Sequence, residues 1–510
     1  MLHALRLGAL LRQPTALVLA LAFVQLLLWG VLSAQLHLAP QDDSLEQVLL
    51  SQEFRLAYGK HPPLPTWLLY GVNRIFAPSI GATFVLSALC SVATLLVLYA
   101  WARPLIGAQR AALATLLASS VEFMNAGTTY FNHNTVQLPF ALLAIALFHR
   151  ALTRMRLIDW ALLGVGAALM LLAKFSAVVL FASFAVYLVW TRRLSDGPTL
   201  RGLGVAALVC TALIAPHLWV ALHEAATPNA YAAESLFPAQ LDRIERLKSV
   251  WNFGISHLAK VAPALLLFAW LRRRAPPAAP PVGQPVALTP YLTIVGFGPF
   301  VLTLVIAALS GAFLLVGWGT TFHVVLTLWL VAARPLAIEA PQPVLLRAAT
   351  ACIALQAVLW ALVTANGGTL PNLHRLSPVR VAPAPPQLAQ AVQSAWAARS
   401  AAPLHYVVSD VRTGASLAVQ FRGQPRVIAS NRADFAAILP PDVLAACGHV
   451  VVSARPPVAE PGAPNYKLLD ALLDAAAPLS VVELRTDGTG RREFFIGVRP
   501  PASGAVCAAS

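Results

Sequence analysis

The stretch D42-D43-S44-L45-E46-Q47, followed by Y58-G59-K60-H61-P62-P63-L64-P65-T66-W67, is polar, acidic and stiffened by proline, and it lies between two long hydrophobic runs. Charge so close to the end of an apolar run is costly against lipid, so a chain that keeps two Asp, a Glu, a Lys and a His there is expected to use them. The chemistry is therefore expected in this loop, residues 37–78.

Outward from the loop the chain is strongly apolar: of its 510 residues 58% are hydrophobic and 11% charged, and the mean hydropathy is +0.70. These values belong to a polytopic membrane protein rather than a soluble one. Apolar runs of roughly 20 residues, enough to cross about 30 Å of hydrocarbon, recur from Pro14 to Ala365, and their Leu and Ala content implies helices rather than a barrel. Spans are expected near 13–36, 79–101, 110–129, 135–150, 157–173, 175–191, 202–222, 255–271, 290–308, 313–332 and 347–365, about eleven in all.

With the N-terminus inside, fifteen of the 23 basic residues before Ala365 gather at one set of ends: Arg6, Arg12, Arg103, Arg110, Arg150, Arg154, Arg156, Arg192, Arg193, Arg201, Arg272, Arg273, Arg274, Arg334 and Arg347. Cytoplasmic connections retain positive charge, so this set is the inner one. Arg55, Lys60, Arg74, Lys174, Arg243, Arg246, Lys248 and Lys260 then face outward or sit in the membrane. Orientation absorbs much of the net charge of +15, and without an aromatic-interleaved basic stripe a nucleic-acid role is rejected. The first apolar run follows Arg6 and Arg12, is long, and has no small-residue cleavage site after it; it reads as a signal anchor.

After Ala365 the composition becomes that of soluble sequence, beyond a turn- and Pro-rich linker over 367–386. Residues 387–510 alternate short strands at 404–409, 426–429, 449–453, 480–485 and 493–498 with helical patterns at 414–421, 434–439 and 466–475, which predicts a small α/β domain. An odd number of spans puts it outside the cytoplasm, where Cys447 and Cys507 are free to oxidise; sequence leaves the bridge and two separate thiols equally open. Cys90, Cys210 and Cys352 fall in spans, and no cysteine pair has zinc-ligand spacing.

In the first loop, a helical register from Ser44 to Ala57 predicts an amphipathic piece along the membrane surface. Asp43, with Asp42 and Glu46, is the candidate base for an acceptor hydroxyl, and Lys60 and His61 are candidates to neutralise an anionic leaving group. The competing reading is a solvated loop with Asp43 as the N-cap of a surface helix. A second constellation is Glu122, Asn125 and Y130-F131-N132-H133-N134. Ten residues of helix place Glu122 about 15 Å into its span, where an acid needs a wet cavity or a partner such as Lys174. Lys174 itself suits either a phosphate or snorkelling, and the Arg243, Arg246, Lys248 cluster either lipid phosphate or a solvated helix face.

The run from Asp43 to Gln52 with Y58-G59-K60-H61-P62-P63-L64, together with L171-L172-A173-K174-F175-S176 and A215-P216-H217-L218-W219, resembles bacterial glycosyltransferase family 39 of the GT-C superfamily. That group includes protein O-mannosyltransferases, the lipid A aminoarabinose transferase and rhizobial galacturonosyltransferases. The resemblance covers roughly the first 330 residues. It implies an α-helical polytopic GT-C fold in a bacterial inner membrane and inverting transfer of a sugar from a polyprenyl-phosphate carrier. The acceptor would be an extracytoplasmic glycolipid such as lipopolysaccharide, another envelope glycan or a protein. By analogy Asp43 is the base, Lys60, His61 and Lys174 meet the donor phosphate, and Glu122, Asn132, His133 and Asn134 orient sugar or acceptor. The family's Asp-Glu pair reads Asp43-Ser44 here, which leaves the second carboxylate to Asp42 or Glu46. No cofactor is certain, and a divalent metal is left open. A lipid-linked-sugar transporter is the rival, although transporters normally show related halves and the acidic, HPPL-containing pattern does not recur. An inactive relative that serves as an assembly partner is the third reading.

Overall fold

The computed structural model describes residues 13–36, 40–59, 61–223, 233–238, 241–274, 287–334, 343–366, 384–422, 424–432, 435–455, 467–486, 490–502 and 507. The membrane part consists of α1 (Pro14–Leu36), α4 (Gly81–Ile106), α5 (Ala108–Ala118), α6 (His133–Arg154), α7 (Leu157–Ala173), α8 (Ala177–Trp190), α9 (Gly197–His223), α10 (Arg243–Arg272), α11 (Leu288–Ser310), α12 (Leu326–Ala333) and α13 (Pro343–Ala365); α2 (Asp42–Leu50) and α3 (Leu64–Ile75) lie in the first loop. Among the described residues seven of these helices, α1, α4, α6, α9, α10, α11 and α13, are long and apolar enough to cross a membrane, while α7 and α8 are shorter apolar helices.

The expected spans 110–129 and 313–332 are only partly helical. At 1.5 Å per residue α5 is about 16 Å long and α12 about 12 Å, too short to cross alone. Beyond α5 the chain breaks into 3₁₀ turns at Glu122–Met124 and Ala126–Thr129, so Glu122 does not lie on a helix ten residues below Asn132. Broken backbone at membrane depth survives only when protein satisfies it. Here buried side chains do so. Asn125 Nδ2 donates to the Ser119 (2.9 Å) and Val121 (3.0 Å) carbonyls and its Oδ1 accepts from Ala126 N–H. Ser91 Oγ and Gln25 Nε2 donate to the Met124 carbonyl, and Gln356 Nε2 donates to that of Ser119 (2.7 Å). Asn125 thus has a structural task.

Elsewhere the helices pack through small residues. A Cβ on Gly164 would lie 2.5 Å from the Ala206 carbonyl, and one on Gly202 would lie 2.3 Å from the Trp160 ring, so α7 and α9 reach their separation only with glycine at both positions.

The C-terminal part follows as α14 (Gln387–Ala397), β1 (Tyr406–Ser409), α15 (Val411–Phe421), β2 (Arg426–Ala429), α16 (Pro441–Cys447), β3 (His449–Ser453), α17 (Lys467–Ala475), β4 (Ser480–Thr486) and β5 (Gly490–Arg499). The sheet order is β2-β1-β3-β5-β4, with β2, β1 and β3 parallel and β3, β5 and β4 antiparallel. All five expected strands form. Helices α14 and α16 are additions to the sequence reading. Cys447 and Cys507 are bonded, with their Cα atoms 4.6 Å apart. Most of the expected linker, 367–383, lies outside the described residues; its end is fixed where Ser416 Oγ accepts from Ala384 N–H and Gln420 Nε2 donates to the Ala384 carbonyl.

The first loop is not an amphipathic strip on the lipid surface. Six of the nine residues of α2 are buried, and Leu45, Val48 and Leu49 share an apolar core with Ala415, Ala418 and Phe421 of α15 and Val427 of β2. The hydrophobic face that suggested lipid is covered by the C-terminal domain. Gln52 continues the edge strand: its Nε2 donates to the Val427 carbonyl (2.7 Å) and its Oε1 accepts from Val427 N–H (3.0 Å). Ion pairs Arg412–Asp42 and Arg426–Glu53 flank this contact.

Candidate active site

The first turn of α2 is the organising feature. Asp43 is not its N-cap: Gln41 takes that position and Asp42 and Asp43 stand in the first turn, where negative charge meets the positive end of the helix dipole. Ser44, fully buried, accepts a hydrogen bond from Phe131 N–H at 2.9 Å. Gln41 Nε2 donates to the Tyr130 hydroxyl at 2.8 Å, and Asn132 Nδ2 donates to Asp43 Oδ2 at 3.2 Å. The second constellation is thereby docked on the first. Asn132 also caps α6, its Oδ1 accepting from Asn134 N–H (3.0 Å) and Thr135 N–H (3.1 Å), so one side chain fixes both the helix start and the carboxylate.

Around this junction lies a cavity of about 340 Å³ lined by Asp43, Glu122, Tyr130, Asn132 and Asn134 from one side and by Lys260 and Leu315–Trp318 from the other. Lys260 Nζ is 2.5 Å from Glu122 Oε2 and 4.9 Å above the Phe123 ring. The partner of Glu122 is therefore Lys260, not Lys174. Lys174, in the connection between α7 and α8, donates from Nζ to Asn134 Oδ1 and stands 5.8 Å from the Trp318 ring centre. Burial pushes its pKa from 10.5 down to about 7, with the Asp43 charge pulling the other way. His257 secures the far wall, one ring nitrogen 3.0 Å from the Val316 carbonyl and the other 2.9 Å from His323 Nε2.

The remaining sequence candidates stand elsewhere. Asp42 faces Arg412 Nε at 2.7 Å, and Glu46, one turn on from Asp43, does not line the cavity. The His61 ring packs at a tilt against that of His133 (ring centres 4.3 Å apart), and His133 Nε2 meets the Pro62 carbonyl at 3.2 Å, so this pair packs the HPPL segment against the start of α6. Lys60 lies outside the described residues. Arg243 and Arg246 occupy the first turn of α10, fourteen or more residues and so about 20 Å along the helix from Lys260. Arg246 donates to the Leu241 carbonyl there (2.8 Å), beside the capping box formed by Asp242 and Glu245. His217 of the A-P-H-L-W motif holds the first loop instead, its Nδ1 lying 2.8 Å from the Leu56 carbonyl. Burial raises the Tyr58 phenol to about 12, and that hydroxyl closes the same loop on the Glu53 carbonyl.

Sequence reasoning gave no site role to Lys260 or Trp318, and Tyr130 stood in its second constellation without one. Only Lys260 carried a usable signal: it is a lone cation within an apolar helix, and the acid it needs is Glu122. Among the described residues no group of three or more His, Cys, Asp or Glu side chains converges as a metal site.

The fold is that of a polytopic α-helical membrane protein with a cavity at one end of the bundle. Residues 60–219 match the family model described as dolichyl-phosphate-mannose-protein mannosyltransferase. The chain is similar to the crystal structure of ArnT from Cupriavidus metallidurans bound to undecaprenyl phosphate, with a TM-score of 0.58 and 14% identity over 94% of this chain and 97% of that one. The apo state of the same protein gives 0.49 and 14% over 94% and 98%. AglB, an archaeal oligosaccharyltransferase from Archaeoglobus fulgidus in complex with an inhibitory peptide and a dolichol-phosphate, gives 0.41 and 13% over 86% and 69%. No curated protein matches the sequence significantly. The family match over 60–219 and the shared fold make the chain similar to membrane proteins of the GT-C glycosyltransferase superfamily.

Proposed function

We propose that the protein is a bacterial inner-membrane glycosyltransferase that moves a sugar from a polyprenyl-phosphate carrier to an acceptor outside the cytoplasm, an envelope glycolipid, glycan or protein. The observation that carries this reading is a cavity lined both by Asp43, which an amide holds, and by Lys260, the ion-pair partner of Glu122, with Lys174 bound to the cavity-lining Asn134. Inverting transfer needs those two kinds of group. Asp43 accepts the proton of the acceptor hydroxyl as its oxygen attacks the anomeric carbon; the bond from that carbon to the phosphate oxygen breaks, and the polyprenyl phosphate leaves with the electron pair. Fixed ammonium groups lower the barrier by meeting the charge on that leaving phosphate. Lys174 and Lys260 serve here, with Lys60 a third candidate; Glu122, Tyr130, Asn132 and Asn134 orient the sugar or acceptor. The ArnT structure with undecaprenyl phosphate, which shares this fold, supports a polyprenyl carrier.

The test is sugar transfer from polyprenyl-phosphate donors in membranes holding wild-type or Asp43→Asn protein, with the product read by mass spectrometry of envelope glycans. Gain of one sugar residue with the wild type alone is expected. Donor turnover independent of the protein, or transbilayer movement of donor without transfer, refutes the assignment.

A further inference from the structure

About 30 Å along α6 from Asn132, the inner ends of α4 and α6 enclose a second cavity of about 470 Å³. Leu105, Leu143 and Leu147 form apolar wall, while Trp101, His149 and Arg154 supply polar groups. Among the described residues, Trp101 Nε1 and His149 Nε2 are both buried without a hydrogen-bond partner, and the His149 side chain is 4% exposed. The two rings stand together, their centres 5.8 Å apart. An indole N–H can only donate, and this one is shielded from solvent within the groove. Arg150 Nε is committed to the fully buried Asp159 at 2.5 Å, whereas Arg154 is exposed at the rim. An occupant that satisfies these groups brings an acceptor oxygen, a negative charge and an aliphatic chain.

We propose that this groove binds an anionic diacyl phospholipid of the leaflet that faces the arginines. One acyl chain follows Leu143 and Leu147 away from the arginines, a phosphate or ester oxygen accepts from Trp101 Nε1, and Arg154 meets the headgroup charge. The sugar carrier proposed above presents its phosphate at the opposite end of α6, so this lipid is a second one. Its binding does not depend on the transferase reading.

The experiment uses the full chain in nanodiscs of equal parts phosphatidylglycerol and phosphatidylcholine, with a diazirine placed on the acyl chain of each lipid in turn and labelled peptides mapped by mass spectrometry. Phosphatidylglycerol is expected to label the 97–105 and 143–154 segments several-fold more than phosphatidylcholine does. Trp101→Phe with Arg154→Gln should lower that labelling about tenfold, since a charge-assisted hydrogen bond is removed, while Arg154→Lys keeps most of it. Labelling of α13 in the same samples controls for insertion. Equal labelling by the two lipids in wild type overturns the proposal, as does unchanged labelling in the double variant or displacement of phosphatidylglycerol from the groove by an equimolar polyprenyl-phosphate probe. If the double variant does not fold, the wild-type lipid preference and that competition decide.

Discussion

At the scale of single residues the cavity separates three kinds of charge. Asp43 is exposed and held by one amide, so Asp43→Asn should keep its size and its bond to Asn132 while losing the ability to take a proton. Turnover should fall about 10²- to 10⁴-fold with donor affinity little changed, and near-wild-type turnover by a folded variant would remove Asp43 from the mechanism. Lys174 has the opposite signature. Its ammonium is charged only below about 7 in the folded protein but below 10.5 when unfolded. Between those values the unfolded chain binds more protons, so its contribution makes stability rise with pH across that window. Donor affinity should instead weaken as pH rises through about 7. Lys174→Gln should abolish that pH dependence and weaken donor binding, and Lys174→Arg, charged throughout, should restore binding in part; a pH-independent wild type would exclude the role. Glu122 and Lys260 neutralise each other. Removing one partner of a partly buried pair leaves a lone charge at a cost of roughly 3–5 kcal/mol, whereas removing both costs less. Glu122→Gln should therefore melt at a lower temperature than Glu122→Gln with Lys260→Met. If the double variant is the less stable, the pair is not the stabilising unit.

Among the elements, α2 joins the site to the C-terminal domain. Two kinds of contact hold it there, and their magnitudes differ. The Arg412–Asp42 pair is solvent-exposed, its side chains 41% and 56% accessible, and such pairs contribute about 0–1 kcal/mol. Each of Leu45, Val48 and Leu49 buries an apolar side chain worth about 1.5–3 kcal/mol. Leu49→Asp should consequently free the domain to protease and depress transfer severely, while Arg412→Ala leaves both nearly intact; comparable damage from the two would mean that charge, not the shared core, positions Asp43. The same element shows what sequence could convey. The period of apolar residues in α2 and the five strands were legible because they follow local pattern, whereas the partner of Glu122 was not, since Lys260 lies 138 residues away on α10. The object covering the apolar face of α2 was not legible, since lipid and the flank of α15 present the same chemistry to a hydrophobic stripe. The end of α5 did leave a mark in the sequence: residues 119–129, S-S-V-E-F-M-N-A-G-T-T, carry the polar residues and glycine of a break. What that stretch does not convey is how its carbonyls are satisfied, which is done by the distant Gln25, Ser91 and Gln356.

For the whole molecule, the cavity and the membrane topology fix each other. Asp43 follows α1, Asn132 follows α5, Lys174 follows α7 and Gly317 precedes α12, and all four come to one end of the bundle around the cavity. Among the described residues Arg110, Arg156 and Arg334 stand at the other ends of α5, α7 and α12. The eleven crossings expected from sequence require the short helices α5 and α12 to be completed by the protein-covered irregular stretches that line the cavity. The seven long helices, nine with α7 and α8, and eleven with α5 and α12 as well are all odd numbers, and an odd number of crossings carries a chain with an inner N-terminus to the outside. Helix α13 then delivers the C-terminal domain to the side where Asp43 lies, in agreement with the contacts between α2 and α15. The Cys447–Cys507 bond suits an oxidising compartment and would be reduced by cytosolic thiols. A reporter active only outside the cytoplasm, fused after Ser510, is expected to be active, and non-reducing peptide mapping of the native protein should recover Cys447 linked to Cys507. Activity of a cytoplasm-only reporter at that position, with both thiols free, would mean that one of α5 and α12 turns back without crossing.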